Sequence, residues 1–324
     1  MNGTKSYSDA MHRYVKHLLA LHHLYLAGKS ESDEADEVRD EMDGPWREMT
    51  SHEIAITDGL SADLYSIGQN INLSLSEDRK LEFEAIKFQL SRMNWVTTLD
   101  LARKYSAKLS SGEQSYLRGT CWSELGFPDV SVEFLRDMIN QGPVSVLEQS
   151  AYFSALQDIK EYDEADEFAS NFNEETHPFL WMQYGTILSS KAFEESESNA
   201  AEIQKAIQVE LHALNLSSKC NEERITELGI TFDKWQQLIL ELELNLALLY
   251  YCLNDTSSSK SHVESILRNN QNHPEALLIK NQLLSNLTTS HSRLIGKWIA
   301  NRIHPRITLG IYSSSTIPNF SSIN

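Results

Sequence analysis

Apolar side chains recur every three or four positions along most of this chain. Because an α-helix turns once in 3.6 residues, this spacing gathers them on one face of a helix. Only "RITLGIY" at 306–312 shows a trace of the two-residue alternation typical of a strand. The pattern predicts an all-α fold with helices at 8–27, 33–43, 51–69, 78–92, 95–108, 112–125, 129–140, 146–158, 162–172, 178–191, 199–218, 232–252, 258–269, 274–287 and 290–303.

Short motifs mark where several of these helices begin and end. In a capping box, a Ser or Thr hydroxyl and a Glu carboxylate three residues later each accept a hydrogen bond from a free backbone N–H at the helix start. Glycine and proline end helices, because glycine tolerates a positive φ and proline lacks an N–H. We expect ends at Gly44-Pro45 and Gly142-Pro143, and boxes at the pairs Thr50 and Glu53, Ser110 and Glu113, and Ser145 and Glu148.

Three of the predicted helices repeat one pattern at intervals of 33 and 34 residues, when Trp95, Pro128 and Tyr162 are aligned. Three positions after each of these residues the side chain is small, and a fourth helix at 201–214 has alanine in that slot. A small residue lets a paired helix approach closely, and a helical hairpin buries its apolar face by stacking on further copies. We therefore expect close helix contacts at Thr98, Ser131, Ala165 and Ala206.

This arrangement resembles the tetratricopeptide repeat family, whose two-helix units span 34 residues. The resemblance covers about 79–215, with a weaker echo at 244–286. The sequence departs from the family pattern at Ile86 and Phe153, where glycine or alanine is usual, and by the extra segment "AFEESESNA".

The resemblance implies a right-handed α-solenoid of antiparallel helical hairpins, in which the first helix of each unit lines a concave groove that binds peptides. Carried over to this chain, the groove-facing positions are Phe83, Lys87, Tyr116, Thr120, Glu124, Ser154 and Asp158. Phe83 and Tyr116 are then candidate aromatic anchors, because desolvated aromatic side chains contribute much of the binding energy at interfaces. The alternative is that these seven side chains only pack within the array.

Outside the repeat, we expect an N-terminal helical cap at 1–76, since a stack of repeats needs a terminal element with a polar outer face. The repeat-like array then spans 77–287. A basic amphipathic helix at 288–304 and a flexible tail at 305–324 follow it.

Charge is distributed unevenly between the two ends of the chain. The formal net charge is −18, and the segment 31–43 holds eight acidic residues against Arg39. After Glu275 there is no acidic residue, whereas Lys280, Arg293, Lys297 and further arginines are basic. No basic face is visible in residues 1–275, which argues against a nucleic-acid partner. The basic segment 290–304 is interpreted either as a helix capping the array or as a docking site for a protein or an anionic membrane surface.

No motif for catalysis, for a cofactor or for a metal ion is present. The chain lacks a Gly-x-Ser-x-Gly elbow, a phosphate-binding glycine loop, a His-Glu-x-x-His and a Cys-x-x-Cys. His12 and His23 share nearly the same face of the first helix but lie about three turns apart along its axis, too far for one metal ion. The three separated cysteines suggest reduced cytoplasmic thiols. We therefore expect no enzyme activity, no cofactor and no transmembrane segment.

The resulting hypothesis is a cytoplasmic, non-catalytic scaffold that binds a protein or peptide partner in the groove of a tetratricopeptide-like array. The alternative is a peripheral membrane or complex-assembly factor that docks through its basic C-terminal helix. An enzyme with an unrecognised site in an interhelical groove is a third hypothesis.

Overall fold

The computed structural model describes residues 7–67, 80–194 and 200–284. Within these ranges the chain forms helices and turns and contains no strand, which confirms the all-α prediction for this part. The described residues divide into two compact units, unit 1 up to Val144 and unit 2 from Ser145. The predicted domain boundaries after residues 76 and 287, the predicted helix at 290–303 and the stretch 306–312 lie outside the described residues.

Unit 1 contains seven α-helices in its described part: α1 (Asp9–Leu26), α2 (Asp33–Glu48), α3 (Ser51–Leu64), α4 (Lys80–Ser91), α5 (Trp95–Lys104), α6 (Ser111–Glu124) and α7 (Pro128–Asn140). The first three pack together through α1, which contacts both α2 and α3. Further along, α5 contacts α3, α4 and α6, and α6 packs against α7.

Unit 2 follows with α8 (Val146–Ile159), α9 (Tyr162–Ala169), α10 (Pro178–Glu194), α11 (Ala200–Ser217), α12 (Glu222–Glu227), α13 (Phe232–Cys252), α14 (Thr256–Asn269) and α15 (Pro274–Leu284). Most helices contact the next one along the chain, and α10 also contacts α8 and α13. A cluster that includes Phe179, Met182, Trp235 and Leu242 forms a buried core between α10 and α13. The short α12 is not among the predicted helices.

All three predicted capping boxes are present. At the starts of α3, α6 and α8, the carboxylate of the third helical residue accepts a hydrogen bond from the N-cap N–H, at 2.9, 2.6 and 2.6 Å respectively. The N-cap hydroxyls accept from the same glutamates' backbone N–H groups in return. The predicted helix end at Gly142 is also confirmed, since α7 stops at Asn140 and Gly142 has a φ of 140°.

The prediction that Gly44-Pro45 ends the second helix is wrong. α2 continues to Glu48, and the carbonyl of Pro45 accepts a hydrogen bond from the Met49 N–H at 3.2 Å. Proline costs a helix interior about 3 kcal/mol, because it lacks an N–H and its ring clashes with the preceding turn. Here the Pro45 ring is buried and the Trp46 ring packs at a tilt against Tyr14 with ring centroids 5.2 Å apart, so apolar burial offsets that cost.

One turn geometry joins helix pairs α4–α5, α6–α7, α8–α9 and α13–α14. In each, a residue with positive φ stands two positions before the second helix: Met93, Gly126, Lys160 and Asn254. The N–H of the next residue donates to the carbonyl five positions before it, over 2.9–3.0 Å, which is the Schellman hydrogen bond of a helix end. The first three of these turns are separated by 33 and 34 residues, the same intervals as the sequence repeat.

The small residues expected at helix crossings are buried. Thr98, Ser131, Ala165 and Ala206 are each 0% exposed. In the pair α6–α7 the approach is so close that a Cβ atom added to Gly119 would lie 2.5 Å from Leu135 Cγ and 3.2 Å from the Ser131 carbonyl oxygen. Helices α13 and α14 also approach each other closely, because the fully buried Ser259 Oγ of α14 donates a hydrogen bond to the Ala247 carbonyl of α13 at 2.8 Å.

Candidate functional site

The residues predicted to face a binding groove lie on α4, α6 and α8, so unit 1 and unit 2 each hold part of the set. On α4, Lys87 is partly exposed and its ammonium lies 3.7 Å from the Glu84 carboxylate. The side chain of Phe83, on the same helix, lies outside the described residues. On α8, Ser154 is half-buried and Asp158 is exposed.

The three predicted residues of α6 are less accessible. Tyr116 is 2% exposed and Thr120 is 5% exposed, whereas Glu124 is half-buried. An aromatic anchor contributes to binding when a partner desolvates it, and the Tyr116 ring is already buried within unit 1. Contact of the seven residues with a partner stays a prediction.

A more accessible concave surface lies between the first three helices. We call it the α1–α3 groove, a concavity of about 390 Å³ lined by Tyr14, Leu18 and Leu21 of α1, Arg39, Met42, Asp43 and Trp46 of α2, Ser61 of α3 and Tyr65, the C-cap residue of α3. At its α3 side, Tyr65 meets Tyr25 edge to face, with ring centroids 5.4 Å apart. Both rings stay almost half exposed, at 45% and 48%. Grouped exposed aromatic side chains of this kind mark interaction surfaces.

The groove was missed from the sequence, although its helix faces are visible there. Tyr14, Leu18, Leu21 and Tyr25 follow one another at intervals of four, three and four residues, which places them on one face of α1. Such a stripe is normally read as the buried face of a helix. Leu18 is buried at the floor of the groove, whereas Tyr25 stays exposed. This difference depends on where α2 and α3 pack, which the stripe alone does not reveal.

A buried carboxyl group lies in the interior of unit 2. Glu210 of α11 is fully buried, and its Oε1 accepts a hydrogen bond from Ser189 Oγ of α10 at 2.6 Å. The helices meet closely here, since a Cβ atom on Gly185 would lie 2.6 Å from Glu210 Cγ. Burial raises the pKa of Glu210 to about 8, and the polar groups of Ser189 and Asn245 offset only part of this effect. A carboxyl so enclosed is out of reach of a substrate in this structure.

Unit 1 has a buried ion cluster that links three helices. Asp63 of α3 is 1% exposed, and its Oδ1 lies 3.1 Å from Arg103 Nε of α5 and 3.0 Å from Arg118 Nε of α6. Burial lowers the pKa of Arg118 and the negative charge of Asp63 opposes that shift. The Asp63 carboxylate is thus paired with two guanidinium groups, and removal of either partner would leave a buried charge uncompensated.

Binding a metal ion and activating a thiol each need a particular arrangement of side chains. In the ranges 7–67, 80–194 and 200–284, no three His, Cys, Asp or Glu side chains are grouped so that they could hold a metal ion. Cys121, Cys220 and Cys252 are free thiols, and burial raises the pKa of the first two, which keeps them protonated at neutral pH. None of the helices described is long and apolar enough to cross a membrane.

Comparisons of this chain with protein-family models, with curated proteins and with solved structures give no match.

Proposed function

We propose that this protein is a non-catalytic, cytoplasmic scaffold built as a right-handed solenoid of tetratricopeptide-like hairpins that binds a protein or peptide partner. The observation that carries the proposal is the turn shared by four helix pairs, with a positive-φ residue and a Schellman bond in each. Five residues after each turn residue comes a fully buried small side chain: Thr98, Ser131, Ala165 and Ser259. Repeated hairpins of this type stack into extended surfaces whose common use is protein binding.

The accessible members of the predicted groove set are the residues to test. Lys87 and Asp158 carry opposite charges, and at least part of each side chain is exposed. Charge reversal at a rim position weakens a specific complex mainly through electrostatic mismatch, without creating a cavity. Lys87→Glu combined with Asp158→Lys therefore reverses the charge at one predicted binding position of each unit.

The experiment is quantitative affinity purification of the tagged full-length chain from its own cells. We expect a stoichiometric partner that the Lys87→Glu/Asp158→Lys variant loses and that Glu223→Lys, an exposed change in α12, retains. Recovery of no stoichiometric partner by the unmodified chain contradicts the scaffold proposal. Circular dichroism of each variant checks that the helices are intact.

The second candidate function is docking to an anionic membrane or an assembly through the basic segment 290–304. It is favoured by the absence of acidic residues after Glu275, together with Arg293, Lys297 and Arg302. Basic residues near an anionic lipid surface contribute about 1 kcal/mol each. If this candidate is correct, the full chain binds phosphatidylserine vesicles and loses that binding when the three residues are changed to glutamine.

A further inference from the structure

The α1–α3 groove carries acidic side chains along both of its rims. On the α2 side, Asp33, Asp36, Asp40 and Asp43 follow one another at intervals of three and four residues, so they lie along one face of that helix. Asp43 itself lines the groove, which places this acidic stripe beside the opening. On the α3 side, the exposed Asp58 lies three residues before Ser61 and seven before Tyr65, which line the groove, so it shares their helix face.

The protein's own basic residues neutralise only part of this charge. Arg39 pairs with Asp36 at 2.6 Å and also donates to the Ser30 carbonyl, and Arg47 lies 3.3 Å from Asp43. The carboxylates of Asp36 and Asp43 are well exposed, so water competes with their arginine partners and these ion pairs are weak. Among the described residues, no basic side chain pairs with Asp33 or Asp40, and both are exposed.

Besides its acidic rims, the groove has aromatic side chains in its lining that could hold an apolar group of a partner. Tyr14, Trp46 and Tyr65 surround a space of about 390 Å³ over the buried side chain of Leu18. A large apolar side chain that entered this space would be desolvated against aromatic rings, which is the usual environment of an interface anchor. The groove thus has an apolar centre and an acidic border.

We propose that the α1–α3 groove is a docking site for a basic amphipathic helix of a partner protein. The apolar face of such a helix, with anchors at i, i+3 or i+4 and i+7, fills the space between the aromatic rings. Lysine or arginine side chains on its flanks reach Asp40 and Asp43 on one rim and Asp58 on the other. The site lies on the three N-terminal helices, outside the repeated hairpins, and is independent of the groove residues of the proposed scaffold.

The test measures the fluorescence anisotropy of a labelled synthetic helix with leucine and tryptophan at the anchor positions and lysine elsewhere, added to the full-length chain. We expect Asp40→Asn/Asp43→Asn and, separately, Tyr65→Ala each to weaken binding about tenfold. The matched control, Glu222→Gln/Glu223→Gln, removes the same charge from an exposed part of unit 2 and changes binding less than twofold. A peptide with glutamate in place of every lysine should not bind.

Three outcomes overturn the proposal. Equal weakening by the two double variants means that the peptide responds only to the net charge of the protein. If Tyr65→Ala and Asp40→Asn/Asp43→Asn each bind the peptide as tightly as the unmodified chain, the peptide binds elsewhere on the protein. Self-association of the full chain in analytical ultracentrifugation, abolished by Asp40→Asn/Asp43→Asn, assigns the groove to a second copy of this chain. None of these results bears on Lys87 or Asp158, so the scaffold proposal is judged separately.

Discussion

Replacing Glu210 by glutamine should make the stability of unit 2 less dependent on pH. Glu210 is 0% exposed between α10, α11 and α13, and burial raises its pKa to about 8 from the ordinary 4.5. In the folded protein the carboxyl is therefore protonated at pH values where the unfolded chain ionises it. The folded state binds more protons than the unfolded state between pH 4.5 and 8, so the free energy of unfolding decreases as pH rises through that range.

The size of the effect follows from the shift in pKa. Each pH unit between the two pKa values removes about 1.4 kcal/mol of stability, so the step from pH 5 to pH 7 removes about 3 kcal/mol. Glutamine has nearly the same shape and does not titrate. It has its own packing cost, because an amide N–H₂ takes the place of an oxygen, but that cost is the same at every pH. The difference between the two proteins should therefore grow by about 1.4 kcal/mol per pH unit.

Native-state hydrogen exchange is the suitable assay, because it reports the local free energy of opening for the amides of α11. The two proteins are compared at the same pH, which cancels the intrinsic pH dependence of exchange. Glu223→Gln, an exposed substitution in the same unit, serves as the control and should run parallel to the unmodified chain. A difference between Glu210→Gln and the unmodified chain that stays constant from pH 5 to 7 would refute the reasoning.

Further predictions concern the helix crossings, the turns and a buried histidine. Gly119→Ala should lower the free energy of unfolding of unit 1 by about 1–3 kcal/mol in urea titrations, because the new Cβ atom would meet the buried Leu135 side chain. The control is Gly112→Ala on the same helix, which should not destabilise unit 1 because no atom lies within 4 Å of the added Cβ. Met93→Gly should raise the thermal midpoint through about 1 kcal/mol of relieved strain at its φ of 57°, whereas Gly126→Ala, at a φ of 88°, should lower it. Burial lowers the pKa of His177 to about 4, and its Nδ1 accepts a hydrogen bond from the Phe179 N–H. The folded state therefore binds fewer protons than the unfolded state between pH 4 and 6.5. The free energy of unfolding should decrease by about 3 kcal/mol as pH falls from 6.5 to 4. His177→Asn keeps an acceptor that does not titrate, and its unfolding free energy should vary less over that range; equal acid sensitivity of both proteins would contradict this role.

Local features of the chain were predictable to nearly the residue. The capping boxes at Thr50, Ser110 and Ser145 need only a hydroxyl and a carboxylate three residues apart, and their geometry is contained within one helical turn. The small residues at Thr98 and Ser131 were equally predictable, because a repeated slot of low volume is visible in the letters themselves.

Predictions that depended on surroundings were less complete. Pro45 was expected to end α2, but burial of its ring and the packing of Trp46 against Tyr14 let the helix continue. Tyr116 occupies a position that the family resemblance assigns to a groove; its ring is buried in unit 1, and its contact with a partner stays a prediction. Whether a helix face is buried depends on which other helices pack against it, and hydrophobic periodicity does not identify those helices.

By itself, the sequence determined the helical class, the places where many of the helices start, and the interval of the repeated slot. These properties arise between residues only a few positions apart, where hydrogen bonds and helix periodicity act. Only the tertiary structure decided that Glu210 is enclosed, that Asp63 meets Arg103 and Arg118, and that aromatic side chains of α1, α2 and α3 leave an acidic-rimmed groove open. The physical reason is that burial, charge pairing and concavity are produced by side chains distant in sequence, and they exist only once the helices are packed.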